Sequence, residues 1–192
     1  MKIYGDTRSG NCLKVKYVAD TLAIPYEWTE IDVLSGRTRS KEFLAINPAG
    51  QIPTVDFGNG RILAQSNAIM RYLARNSALI PGDAWLAAKM DEWLFWEQYS
   101  HEPTIAVARF LRTFKNLPDS EISPQLVEKG NAALDMMEAC LTRKNWFVGD
   151  QITLADIALL AYTQFAEEGG FTLEHRPHIR KWLALAKGEL NI

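Results

Sequence analysis

Residues 50–69, GQIPTVDFGNGRILAQSNAI, constrain what this chain can fold into more than any other stretch. Thr54-Val55-Asp56-Phe57 and Arg61-Ile62-Leu63-Ala64 are two short strand-like runs, and Gly58-Asn59-Gly60 between them supplies the positive φ of a tight connection. A hairpin is the expected result. Ahead of it stands Ile52-Pro53. Proline has no amide hydrogen and tolerates a cis bond far better than any other residue. At a strand entrance it turns the backbone of Ile52 outward and leaves that residue's N–H and C=O for a peptide-like ligand. Behind the hairpin, Gln65-Ser66-Asn67-Ala68-Ile69 reads as a helix start with Ser66 near the N-cap. A helix start carries partial positive charge and N–H groups outside the intrahelical ladder, a ready cradle for a carboxylate. One compact unit thus presents an extended backbone edge at one end and an anion site at the other.

The segments before the hairpin supply the rest of a small α/β unit. Lys2-Ile3-Tyr4 is a strand candidate, residues 5–10 form a polar loop, and a helix is expected over residues 11–22. Val15, Val18, Ala19 and Leu22 fall at helical spacing and form its buried stripe. Residues 26–31 are aromatic and β-branched enough for a second strand, so the helix is a βαβ crossover if the two strands pair in parallel. Residues 35–40, SGRTRS, are a basic loop, and a short helix over 41–46 is stopped by Asn47-Pro48-Ala49-Gly50. After the hairpin, a helix over residues 66–76 turns Ile69, Tyr72 and Leu73 inward. The order βαβ, α, ββα is the thioredoxin-like arrangement.

Beyond Ile80-Pro81-Gly82 the pattern changes to long helical stripes. Leu86, Met90, Trp93 and Leu94 form one; Leu126, Gly130, Ala133, Leu134, Met137 and Leu141 form another. Thr153-Leu154-Ala155-Asp156 resembles a capping box with Asp in place of Glu, a structural device rather than a chemical one. A last helix is expected over 177–187. The division is a thioredoxin-like domain over residues 1–78, a linker over 79–84, and an all-α domain over 85–192.

At 192 residues, 47% hydrophobic and 23% charged, the chain is ordinary for a globular protein. A net charge of -2 gives no reason to expect nucleic acid or an anionic membrane as partner. The polar N-terminus is not a signal peptide, and no apolar run approaches a membrane span. The two cysteines, Cys12 and Cys140, lie far apart without metal-type spacing, so a reduced, cytoplasmic protein is expected. The histidines at 101, 175 and 178 suggest no metal site.

IPT, a short hairpin and then QSNAI, in that order, resembles the glutathione-binding half of the cytosolic glutathione S-transferases, and the layout is similar from end to end. The segment SGNCLKV resembles the serine-type, theta-like branch with bacterial members. The resemblance implies a cis bond at Pro53, antiparallel pairing of Ile52 with the cysteinyl part of glutathione, and a γ-glutamyl end held by Gln65 and Ser66. It implies contact from Gln51 as well, and a hydrogen bond from Ser9 to the glutathione sulfur. Free thiols titrate at about 8.5 and only the thiolate attacks quickly, so a hydroxyl donor and a helix N-terminus favour the reactive form. Attack on a small hydrophobic electrophile follows, from a pocket expected beside the aromatic run 93–99. A homodimer is implied too.

Other readings of the same residues stay open. Ser9 has an alternative reading as a turn or N-cap residue. Asn11 is a second donor to the sulfur. Cys12, at a helix start that would depress its pKa, supports either a glutathione-dependent peroxidase or disulfide reductase, or plain buried packing. Arg37, Arg39 and Lys41 are alternatives for the glycyl carboxylate. Tyr4 sits within the strand, away from the position of a catalytic tyrosine. His101 and Glu102 read as a surface pair, and Cys140 as inert. A non-catalytic interaction module on the same fold is the last rival.

Overall fold

The computed structural model describes all residues, Met1–Ile192. The chain divides into two compact units, Met1–Ser77 and Ala78–Ile192. The first is thioredoxin-like and the second is all-helical.

In the first unit β1 (Lys2–Gly5), α1 (Gly10–Thr21) and β2 (Glu27–Glu30) form the βαβ crossover, with β1 and β2 parallel in the register Ile3 to Trp28. A short α2 (Lys41–Ile46) leads to β3 (Thr54–Asp56) and β4 (Ile62–Ala64), both antiparallel, and then to α3 (Ser66–Leu73). The sheet order is β2-β1-β3-β4. Ile3 and Val55 pair across β1 and β3 and are fully buried, as are Val15, Val18, Ala19, Ile69 and Met70 on the helices. The hairpin strands are a residue shorter than their sequence pattern, because the Phe57 amide and the Arg61 carbonyl already close the loop at 3.0 Å. Tyr72 corrects an expectation. It lies outward, its ring 4.8 Å from that of Phe57, and Met70 takes the inward place.

The second unit is built on α4 (Ala84–Trp96), α5 (Glu102–Arg109), α6 (Pro124–Leu141), α7 (Leu154–Thr163) and α8 (Pro177–Leu190). Between α4 and α5 the helix widens into a π turn at Glu97–His101. Pro103 explains it: with no amide hydrogen it cannot donate to the Tyr99 carbonyl, and the ladder shifts where that bond is missing. The expected stripe of α6 is buried except for Leu126, which is half-buried. Gly130 is required within that stripe, since a Cβ there would stand 2.4 Å from the Phe171 ring. The aromatic run divides: Trp93 packs edge-on against Phe147 at 4.7 Å, whereas Phe95 and Tyr99 are 77% and 88% exposed. His101 is not a surface residue. It is fully buried, with Nε2 at 2.9 Å from the Thr163 hydroxyl, because the π turn rotates it into the bundle. No helix is long and apolar enough to cross a membrane.

Candidate functional site

The loop between β1 and α1 is organised by one carboxylate. Asp6, fully buried, takes the Arg8 amide and Nε on Oδ1, both at 2.9 Å, and Arg8 Nη2 on Oδ2 at 2.7 Å. The Val33 amide reaches Oδ2 at 3.3 Å, tying the loop to the chain beyond β2. Burial is the largest influence on Asp6 and pushes its pKa up. The hydrogen bonds from the Arg8 guanidinium and from the amides of Arg8 and Val33 outweigh it, and the net position is below the ordinary value. The Asp6 carbonyl accepts the Ser9 amide at 2.9 Å. Ser9 therefore enters α1 at its cap position with extended backbone, φ −85° and ψ 121°, and its own carbonyl accepts the amides of Cys12 and Leu13. Its hydroxyl caps nothing in that helix.

Cys12 behaves differently from its sequence-based expectation. Its side chain is wholly buried and its thiol is pushed up to about 12, chiefly by burial, with the Asp6 backbone and the Ser9 hydroxyl pulling weakly the other way. Desolvation overrides the helix dipole that would have depressed it. Cys140 is half-buried and its thiol is also raised by burial.

Asn11 joins the first loop to the start of α3. Its Oδ1 accepts Lys14 Nζ at 2.8 Å and the Ser66 hydroxyl at 3.1 Å. Ser66 is the first helical residue rather than the cap, 4% exposed. The cap position belongs to Gln65, whose φ of 71° is uncommon for a residue with a Cβ. The ladder of α3 begins where Ile69 donates to the Gln65 carbonyl at 2.9 Å.

The Ile52-Pro53 bond is cis. Buried Asn47 braces this corner: Nδ2 donates to the Gln51 carbonyl and to the Thr54 hydroxyl, both at 2.9 Å, and Oδ1 accepts the Ala49 amide. The Thr54 hydroxyl donates to the same Gln51 carbonyl. No backbone hydrogen bond within the chain uses the N–H or C=O of Ile52. Gly50 has φ +60°, and a Cβ on it would meet the Thr38 carbonyl at 2.8 Å. Of the three cations weighed for a carboxylate, Arg39 is committed to the Ala49 carbonyl at 3.1 Å, while Arg37 and Lys41 are exposed.

The structure thus brings Ser9, Asn11, Cys12 and Ser66 together through the first loop and its bond to α3. Sequence reasoning missed Asp6, Arg8, Lys14 and Asn47. The only signal for them was a polar loop and an Asn-Pro step, neither of which reveals burial.

Residues 8–76 match the family model described as glutathione S-transferase, N-terminal domain, and residues 101–185 the one described as glutathione S-transferase, C-terminal domain. The chain belongs to the glutathione S-transferase family. Glutathione S-transferase 3 of Zea mays is 33% identical over 95% of this chain and 86% of its own length. Human glutathione S-transferase theta-2 is 28% identical over 95% of this chain and 78% of its own. Among solved structures, a glutathione S-transferase from Pseudomonas fluorescens Pf-5 superposes with a TM-score of 0.93 at 45% identity, over 97% of this chain and 94% of that one.

Proposed function

We propose that this family member binds glutathione in its first unit and activates the thiol for attack on a small hydrophobic electrophile. One observation carries the reading: the Ser66 hydroxyl on Asn11 ties the loop bearing Ser9 to the start of α3. A tripeptide lying along this corner meets a carboxylate site at one end and a hydroxyl donor near its middle. The γ-glutamyl carboxylate sits at the Ser66 amide and the positive end of α3, with Gln65 beside it. The main chain of Ile52, before Pro53, pairs with the cysteinyl residue as an added strand would, and Gln51 lies next to it. Ser9 donates to the sulfur and Asn11 holds the frame; the thiolate is favoured without a general base.

The alternative thiol-exchange chemistry needs an accessible thiolate, and Cys12 offers neither access nor a depressed pKa. Ser9→Ala and Cys12→Ser separate the two in a conjugation assay at neutral pH. The transferase reading expects a fall of about a hundredfold in kcat/KM for Ser9→Ala and a change of less than a few-fold for Cys12→Ser. The reverse order overturns it, and calorimetry showing no heat with glutathione would favour a non-catalytic module. The reading includes a reducing, cytoplasmic setting and a homodimer. The exposed face of α4 that carries Trp85, 72% exposed, and Phe95 supports the dimer, and sedimentation velocity tests it.

A further inference from the structure

Arg8 and Asp6 have no part in the function just proposed, yet they are the most heavily bonded pair in the first loop. Asp6 is buried, and four donor contacts converge on its two oxygens, three of them from Arg8. A buried carboxylate at this position is a hazard for a site that must hold a second anion. Its charge acts on the neighbouring Cys12 thiol in the sense that opposes the thiolate. A glutathione sulfur held at Ser9, whose amide is bonded to the Asp6 carbonyl, lies in the same loop and feels the same charge.

We infer, resting on the glutathione reading, that Arg8 is a positioning residue that cancels the buried charge of Asp6 beside the bound thiolate. The fork of Arg8 reaches the carboxylate through both Nε and Nη2, which a single ammonium would not match. The same guanidinium extends to Asp32 at 2.7 Å, so its own position is held from two sides. The other ionisable groups at this loop are accounted for. Glu30 takes the Thr7 amide and the Trp28 indole, Lys14 bonds Asn11, and the Cys12 thiol stays protonated in the working range. Arg8 is the cation bonded directly to Asp6.

Opposite signs make the inference testable. The readout is the ultraviolet absorbance of the thiolate, taken as the difference between protein with and without saturating glutathione, titrated with pH. In the wild type the midpoint falls below the value of about 8.5 for a free thiol. Arg8→Gln removes the cation, which raises the Asp6 pKa, yet the carboxyl is still ionised where the thiol titrates; the midpoint rises by about one unit, a tenfold loss of thiolate at neutral pH. Asp6→Asn, with Arg8 kept, lowers it, and the double variant returns to within a few tenths of wild type. Arg8→Lys keeps the charge and holds the midpoint near wild type, so it serves if Arg8→Gln does not fold. A loop that was merely loosened would shift every variant upward; that pattern, or an unmoved midpoint in Arg8→Gln, overturns the inference alone. A wild type with no bound thiolate overturns the glutathione reading and the inference with it.

Discussion

Asp6 in the first unit and Asp156 in the second are both completely buried carboxylates, and their chemistry runs in opposite directions. Asp156 takes the Phe147 amide at 3.1 Å, the Thr153 amide at 2.9 Å, the Thr153 hydroxyl at 3.0 Å and the Trp182 indole at 3.1 Å. All of these donors are neutral. Burial dominates, the four hydrogen bonds offset it only in part, and the carboxyl is pushed up to about 6. Asp6 has a comparable set of donors, but three come from one arginine and two of those from its guanidinium, so its pKa ends below the ordinary value. Burial sets the cost of keeping the charge; a cation among the donors decides on which side of the ordinary value the pKa ends. The first unit keeps it next to the proposed site. The second uses its carboxyl as a knot joining the turn at Phe147, the start of α7 and the Trp182 ring of α8.

The largest effect that tests this contrast comes from Asp156→Ala. Four buried donors, the Phe147 and Thr153 amides, the Thr153 hydroxyl and the Trp182 indole, lose their acceptor at once. At about 1–3 kcal/mol for each group left unsatisfied, the loss is about 3 kcal/mol or more. Melting temperature should fall by roughly 10 °C for a chain of this size; a fall of only a degree or two would mean that water reaches these groups. The charge itself is tested by pH. A carboxyl raised in the folded state binds a proton there while the unfolded chain has already lost it. The contribution of Asp156 to stability therefore grows as pH falls from about 6 toward 4, by an amount of order 2–3 kcal/mol. Asp6 has the opposite sign and a different window: its contribution is present above about 4 and is lost below. Asp156→Asn should remove the gain between pH 6 and 4 and leave the loss below 4 in place. A variant that still gains stability in that window would assign it to another group.

Much of this was legible in the chain itself. The TLAD step gave the capping box, which the structure forms with Thr153 and Asp156. The order of strands and helices followed from periodicity and turn residues, because those are local properties. What was hidden depends on pairs distant in sequence. Asp6 finds Val33, Asn11 finds Ser66, and His101 finds Thr163 only after the helices have packed. The same limit explains Cys12. A helix start is visible in sequence and argues for a low pKa, whereas full burial, which reverses the sign, is a property of the packed unit. Tyr72 departs from its expected place for a related reason: helical spacing says which residues share a face, and a ring beside Phe57 can leave that face for the hairpin.

A thiol sharpens the contrast with a smaller effect. Cys12 is buried like Asp6 but has no cation bonded to it, and its pKa rises, as for Asp156. In the native protein at neutral pH, alkylation with iodoacetamide should label Cys140 first, because it is half-buried, and Cys12 only on unfolding. Peptide mapping after a short exposure distinguishes them. Rapid labelling of Cys12 would show that the first loop opens on that timescale and would restore the thiol-exchange rival.

The smallest effect is the most discriminating, because it keeps the arginine and changes only exposure. Asp32 accepts the same Arg8 Nη2 that binds Asp6, at the same 2.7 Å. Its side chain is 47% exposed where that of Asp6 is buried. Its pKa is also lowered, first by the Arg8 hydrogen bond and then by the Leu34 amide, with burial a minor opposing influence. Water competes for every one of these contacts, and ion pairs of this kind contribute little to folding. Asp32→Asn should leave the melting temperature unchanged within error, whereas Asp6→Asn, which turns an amide NH2 toward buried donors, should lower it clearly. The thiolate midpoint should be equally indifferent to Asp32→Asn, since the solvent already screens that charge. If the two asparagine variants melted together, the identity of the cation and not the burial of the carboxylate would govern both, and the distinction between Asp6 and Asp156 would have to be drawn on geometry alone.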